Sequence, residues 1–298
     1  MTGVGQIVDG MTQSAYIFHT GAGENGLWYT ILDNLGWQLD SQAPNTGSSN
    51  TVAAVNYAGN MVVIHQGQNS ENLWWNSFDG NSWAGDQQVP NTETGNGAAA
   101  TVYNGQIYAF HMSSQATPGK ESIAPGVWQI WCNIFDGSNW LGDNPVPMQA
   151  SGTPSAVVYD GLLYVFHNDS NPTYLTEQLW YNSFDGASWG SDTEIPGVGS
   201  FSPPCAVVFQ NLIYLFYSSG DNSYYATFDG TTWSNPVEIP ISMSVPCGAA
   251  ECDGLIYLFW NASQQLYYAT FDGTNWQTEE QVPSAELDGT PSVVIFPA

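Results

Sequence analysis

Four histidines occur in the chain, and each is followed by a tryptophan: His19 by Trp28, His65 by Trp74, His111 by Trp131 and His167 by Trp180. Two places after these tryptophans stand Thr30, Asn76, Asn133 and Asn182, and shortly before them stand Glu24, Glu71, Gln129 and Glu177. An indole face, an imidazole, a carboxylate and an amide suit a neutral polyol. The apolar face of a sugar ring stacks on tryptophan, and its hydroxyls exchange hydrogen bonds with the polar groups. The same residues also read as packing partners that change together, as neighbours in a core do.

What positions these sets is an internal repeat. Six turn elements follow one another: LDNLGW (32–37), FDGNSW (78–83), FDGSNW (135–140), FDGASW (184–189), FDGTTW (228–233) and FDGTNW (271–276). Each repeat parses into four short strands, A to D. In the fourth, A is Ala156–Tyr159, B is Leu162–His167 and C is Leu179–Phe184, while D follows the second Asp-Gly turn and ends near Ile195-Pro196. Asn104-Gly105, Asp160-Gly161 and Asp253-Gly254 supply the positive backbone angles that a tight A–B hairpin requires. Units of this size and composition predict an all-β chain, a single domain over residues 1–298. The expected fold is a six-bladed β-propeller of four-stranded antiparallel blades.

The C-terminal run Thr290–Phe296 (TPSVVIF) repeats Thr153–Tyr159 (TPSAVVY), and Ala15–His19 supplies a B strand with no A before it in the first blade. The ring is therefore expected to close with the C-terminal strand, removing two open sheet edges. Val4–Gly10 also has the look of an A strand and has no assigned place. The B–C and D–A connections, including the long segment Met112–Val127, fall on the face opposite the uniform Asp-Gly turns. Variable loops on a rigid scaffold make that face the expected binding face.

Comparison among the six copies separates fold from function. Trp37, Trp83, Trp140, Trp189, Trp233 and Trp276 occur in every copy and read as packing. At the end of strand B, repeats five and six carry Tyr217 and Trp260 in place of histidine. They also carry Tyr224 and Tyr267 in place of the C-strand tryptophan, and Ala226 and Ala269 in place of the polar residue. The whole set changes together, which marks repeats one to four as the candidate sites.

The formal charge is −26, with Lys120 as the one basic residue and no arginine. Phosphate backbones and anionic headgroups need cations, so nucleic acid and membrane headgroups are poor partner candidates, and no membrane insertion is expected. No run approaches a membrane span. The start of the chain, MTGVGQIVDG, carries no signal-peptide pattern, so synthesis in the cytoplasm is expected, with export lacking a leader left open. Cys132, Cys205, Cys247 and Cys252 have no metal-ligand spacing and read as buried free thiols; Cys205 and Cys247 hold equivalent positions at the start of inner strands. Histidines on the second strands of adjacent blades would stand too far apart to share an ion, and no cofactor motif is present.

The FDGxxW turns resemble a shortened form of the Asp-box of sialidase-like propellers, and the chain in plan is similar to fungal and bacterial β-propeller lectins. The Gly follows the Asp directly here (Asp185-Gly186), whereas the Asp-box sets it two residues on. The resemblance implies multivalent sugar binding on or between blades. It does not extend to sialidase activity, because that family holds its substrate carboxylate with three arginines and this chain has none. The expectation is a non-enzymatic lectin for neutral glycans such as GlcNAc, galactose or fucose. The alternatives are a protein-interaction scaffold and a glycoside hydrolase or lyase, the latter needing two acids in one pocket.

Overall fold

The structure is a computed structural model and describes residues 12–113, 128–169, 178–200, 202–241, 243 and 247–297. Val4–Gly10 and most of the long loop after Met112 lie outside these residues, as does Glu177. The described chain is a β-propeller of antiparallel four-stranded blades. Repeat two contributes Ala53–Tyr57, Asn60–Gln66, Leu73–Phe78 and Gln87–Gln88, and repeat three Ala98–Tyr103, Gln106–Ser113, Trp128–Phe135 and Trp140–Ala150. Repeat four contributes Ser155–Tyr159, Leu162–Asn168, Gln178–Phe184 and Thr193–Gly199, and repeat five Cys205–Phe209, Leu212–Ser219, Asn222–Phe228 and Val237–Ile239. Each of these repeats is one sheet in A–B–C–D order.

Repeats six and one form a single eight-stranded sheet joined by the long strand Glu280–Pro297. Its first part pairs with Gln265–Phe271 of repeat six, and its second part pairs with Gln13–Gly21 of repeat one, from Gly21↔Leu287 to Gln13↔Pro297. Hydrogen bonding therefore divides six repeats into five sheets. The inner strands touch in sequence: Ala53–Tyr57 against Ala98–Tyr103, then Ser155–Tyr159, Cys205–Phe209, Cys247–Cys252 and Glu280–Pro297, which in turn touches Ala53–Tyr57. A Cβ on Gly97 would come within 2.2 Å of the Thr51 carbonyl oxygen, and one on Gly248 within 2.5 Å of the Pro291 oxygen, so these close approaches require glycine. The starts of five inner strands, together with Thr290–Val293 of the sixth, line a central cavity of about 430 Å³.

The core lies between blades. Each alternating strand turns one face to its neighbour, and every hydrophobic cluster draws on two adjacent repeats. The uniform tryptophans are the wedges. Trp233 stacks on Phe228 of its own repeat at 4.8 Å and meets Phe166 of the preceding one edge-on at 6.0 Å. Trp37 likewise meets Phe259, linking repeat one to repeat six. In five repeats a polar residue at the end of strand B ties down the D–A crossover: Thr20 donates to the Asn50 carbonyl, Gln66 to Thr94, Asn168 to Ser200 and Ser202, Ser218 to Met243, and Asn261 to Leu287 and Gly289; repeat three carries Met112 there. Proline follows the end of strand D in repeat five, where Val237–Ile239 stops before Pro240, but not in repeat four. Pro196 lies within Thr193–Gly199, because a bulge between the Gln178 and Trp180 pairings leaves its nitrogen outside the ladder.

The Asp-Gly turns follow the expected chemistry. Gly80, Gly137, Gly186, Gly230 and Gly273 have φ of 90–98°, and the preceding Asp accepts from two backbone N–H groups in each turn, as Asp185 does from Ala187 and Ser188. These backbone hydrogen bonds hold Asp79, Asp136, Asp185, Asp229 and Asp272 below the usual 3.8. A carboxylate depressed in the folded state contributes stability that is present above its unfolded pKa and lost as pH falls through its folded one. Thermal midpoints are therefore expected to decline progressively below pH 3.8. The fivefold Asp→Asn variant, whose amide oxygens still accept, should flatten that decline in melts recorded across the acid range.

Candidate functional site

The antiparallel register brings the sequence-expected pairs together. His19 lies opposite Trp28, His65 opposite Trp74, His111 opposite Trp131 and His167 opposite Trp180. Tyr217 and Tyr224 hold the same register in repeat five, and Trp260 and Tyr267 in repeat six. There the aromatic rings stack at 5.7 and 6.2 Å.

A residue that sequence reasoning missed completes each set. His19 Nε2 lies 3.1 Å from Asp40, His65 Nε2 2.9 Å from Asp86, His111 Nε2 3.0 Å from Asp143 and His167 Nε2 3.1 Å from Asp192. Facing a carboxylate, that nitrogen donates. The Nδ1 of His19, His65 and His167 lies 3.1–3.4 Å from the carbonyl of the next residue. The imidazoles are 0–2% exposed, whereas the aspartate side chains are 10–31% exposed. Histidine thus acts as a buried bracket that fixes a carboxylate at the surface. Each aspartate stands three residues after the uniform tryptophan, where repeats five and six carry Pro236 and Glu279. Its loss therefore accompanies the loss of histidine, a signal visible within the repeat.

The tryptophans of the set are partly exposed. The indole Nε1 atoms of Trp28, Trp74, Trp131 and Trp180 are buried without a partner. In repeats one and two the indole edge is pressed so closely to Gly21 and Gly67 that a Cβ would sit 2.5–2.6 Å away. Recesses open beside two of these plates. One, of about 350 Å³, is lined by Trp28, Asp40, Glu24 and Leu39, and by Ser284 and Glu286 from the outer strand of repeat six. The other, of about 500 Å³, is lined by Trp180, His167, Asp192 and Asp169, and by Pro145–Gln149 from the outer strand of repeat three. Both lie between a His–Trp–Asp repeat and the D strand of the repeat before it. Their ionisable lining residues other than His167 are carboxylates.

Of the remaining candidates, Glu24 lines the first recess and Gln129 the second, and the others lie outside both. Thr30, Asn76, Asn133 and Asn182 are buried and serve the scaffold. Thr30 donates to the Gln38 carbonyl, Asn76 accepts from Gly85 and donates to Thr46, Asn133 accepts from Gly142 and donates to Pro90, and Asn182 accepts from Ser183. Gln129 is buried, and its amide donates to the Val146 and Met148 carbonyls, filling the bulge in its own outer strand. Glu24 and Glu71 are exposed, and Glu24 reaches the first recess. Asp86→Ala would leave the fully buried His65 Nε2 without an acceptor. A loss of about 1–3 kcal/mol in denaturant unfolding is expected.

No protein-family model matches the chain, and no curated protein matches it. Among solved structures, a mutant of the Aleuria aurantia lectin in complex with alpha-methyl-L-fucoside is similar, with a TM-score of 0.60 and 16% identity, covering 92% of this chain and 96% of that one. TolB from Acinetobacter baumannii gives a TM-score of 0.63 at 11% identity, covering 95% of this chain and 67% of that one. A chain of a nidogen/laminin complex gives 0.57 at 10% identity, covering 94% and 98%. At these identities the likeness is one of fold: the chain is an all-β propeller.

Proposed function

We propose that the chain is a six-bladed propeller, closed by Glu280–Pro297, that binds neutral glycans without catalysis in recesses beside the tryptophans of repeats one to four. The observation that carries this reading is the repeated unit of a partly exposed indole beside an aspartate held by a buried histidine, present in four repeats and replaced as a whole in two. Support for six blades comes from the six inner strands, each touching the next, with Glu280–Pro297 touching both Cys247–Cys252 and Ala53–Tyr57.

In such a recess the indole face takes the apolar face of a sugar ring. The aspartate accepts from ring hydroxyls, and histidine positions the aspartate rather than touching the ligand. This reassigns the imidazoles and buried amides from direct contact to support. With no Lys or Arg among the described residues, the carboxylates of the recesses repel anionic sugars, so GlcNAc, galactose and fucose fit and sialic acid does not. The methyl fucoside bound to the Aleuria lectin of the same fold is a neutral glycoside of this class. Several shallow sites on one rigid ring gain avidity on a dense glycan surface.

A glycan array probed with the labelled protein tests the reading. Binding confined to a set of related neutral glycans is expected. A blank array with folded protein would overturn it in favour of a protein-interaction scaffold.

A further inference from the structure

The central cavity is a different environment from the recesses. In a chain with 27 acidic residues, none of the described residues that line it is Asp, Glu, Lys, Arg or His. Its wall is built from alanines, Val52, Val293, prolines, glycines, hydroxyls, the amides of Asn96 and Asn168, and the thiols of Cys205 and Cys247. Burial pushes the Cys247 thiol well above its usual range, and neighbouring Cys205 adds to the effect, so that thiol stays neutral. An ion placed in this cavity would lack a counter-charge, at a large desolvation cost. The volume of about 430 Å³ lies in the range of small-molecule sites.

Polar residues in the wall give the cavity a chemical preference. Asn168 is 1% exposed and lines the cavity. Its amide nitrogen is committed to the Ser200 and Ser202 carbonyls, while its Oδ1 is buried without a partner. Equivalent side chains elsewhere are satisfied: Gln66 Oε1 accepts from Asn50, and Asn261 Oδ1 accepts from the Gln264 N–H. The acceptor left open is thus specific to repeat four. Ser155 and Ser292, in the two matching TPS segments, accept from the backbone N–H of Ala206 and Ala54 in the next inner strands. Each keeps its hydroxyl proton to donate.

We infer that the central cavity is a second binding site, distinct from the recesses, for a neutral polyol up to monosaccharide size that accepts hydrogen bonds from the Ser155 and Ser292 hydroxyls. The apolar carbons of the ligand pack on the alanines, and its oxygens accept from the serine hydroxyls. This site does not depend on the tryptophan plates.

The two thiols in the wall report occupancy. The probes are myo-inositol and the methyl glycosides of galactose, GlcNAc and fucose. The readout is the rate at which methyl methanethiosulfonate modifies Cys205 and Cys247, resolved by peptide mass spectrometry, with Cys252 as an internal control outside the cavity. At ten times its Kd, a binding probe should slow both thiols about tenfold and leave Cys252 unchanged. Ala156→Leu, which fills the cavity while leaving Asn168 and its backbone bonds in place, should abolish the protection. The protection should persist when the four recess tryptophans are alanine, so a failure of the recess assignment is read separately. Three results would overturn the inference: no probe protects, protection survives Ala156→Leu, or protection disappears with the recess tryptophans.

Discussion

Simultaneous replacement of Trp28, Trp74, Trp131 and Trp180 by alanine is expected to abolish binding to a glycan-coated surface. Trp180→Ala alone should weaken it only partly. The difference follows from linkage on a rigid ring. While several sites remain, the loss of one reduces the number of simultaneous engagements, at a cost of about tenfold in apparent affinity. The loss of all four removes the whole avidity gain of about 10²–10⁴ together with the single-site contact. Surface plasmon resonance at high and low glycan density separates these terms, because low density reads single sites. The fourfold Trp→Phe variant retains an apolar plate and should keep much of the binding, whereas the alanine variant should not. Thermal unfolding of both distinguishes loss of the plate from loss of the fold. Undiminished binding by a folded fourfold alanine variant would remove the site assignment.

The parts of this structure legible in the sequence are those set by local chemistry and by repetition. Asp-Gly and Asn-Gly pairs placed the hairpins, and the structure gives Asn104, Asp160 and Asp253 the positive φ those turns demand. Alternation placed strands B and C, and the hairpin between them fixed the register that sets each histidine opposite its tryptophan. What escaped lay one strand further out. Asp40, Asp86, Asp143 and Asp192 reach the histidines from the start of strand D, across strand C and beyond a turn, and the outer pairing contains bulges that sequence alternation does not locate. The signal was nonetheless present, since the aspartate, the histidine and the tryptophan are replaced together in repeats five and six. The buried asparagines were misjudged for a related reason. They share the tryptophan's face of strand C but stand nearer the Asp-Gly turn, where their amides anchor the turn's backbone instead of facing solvent.

Removal of residues 287–298 should have the largest effect on stability, because it takes away the partner of Gln13–Gly21 along its whole length. Leu287 is fully buried and Val294 nearly so, and both belong to clusters shared with neighbouring repeats. The truncated chain would expose the edge of Gln13–Gly21 as well as the flank of Ala53–Tyr57 that the lost segment covers, a template for aggregation. The loss should exceed the whole margin of a domain, about 5–15 kcal/mol, so cooperative unfolding should disappear rather than shift. A permutant tests whether pairing or chain continuity is responsible. If residues 287–297 are moved ahead of Gln13 through a short turn, the Gln13↔Pro297 end of the ladder becomes a hairpin and every strand pair is restored. The covalent link between repeats six and one is then broken while the sheet contacts remain. The permutant should fold cooperatively but less stably than the parent, because closing the ring now costs the entropy that continuity had removed. Equal stability of permutant and parent would mean that hydrogen bonding and packing alone close the ring. Failure of the permutant to fold would assign closure to the unbroken strand Glu280–Pro297 itself.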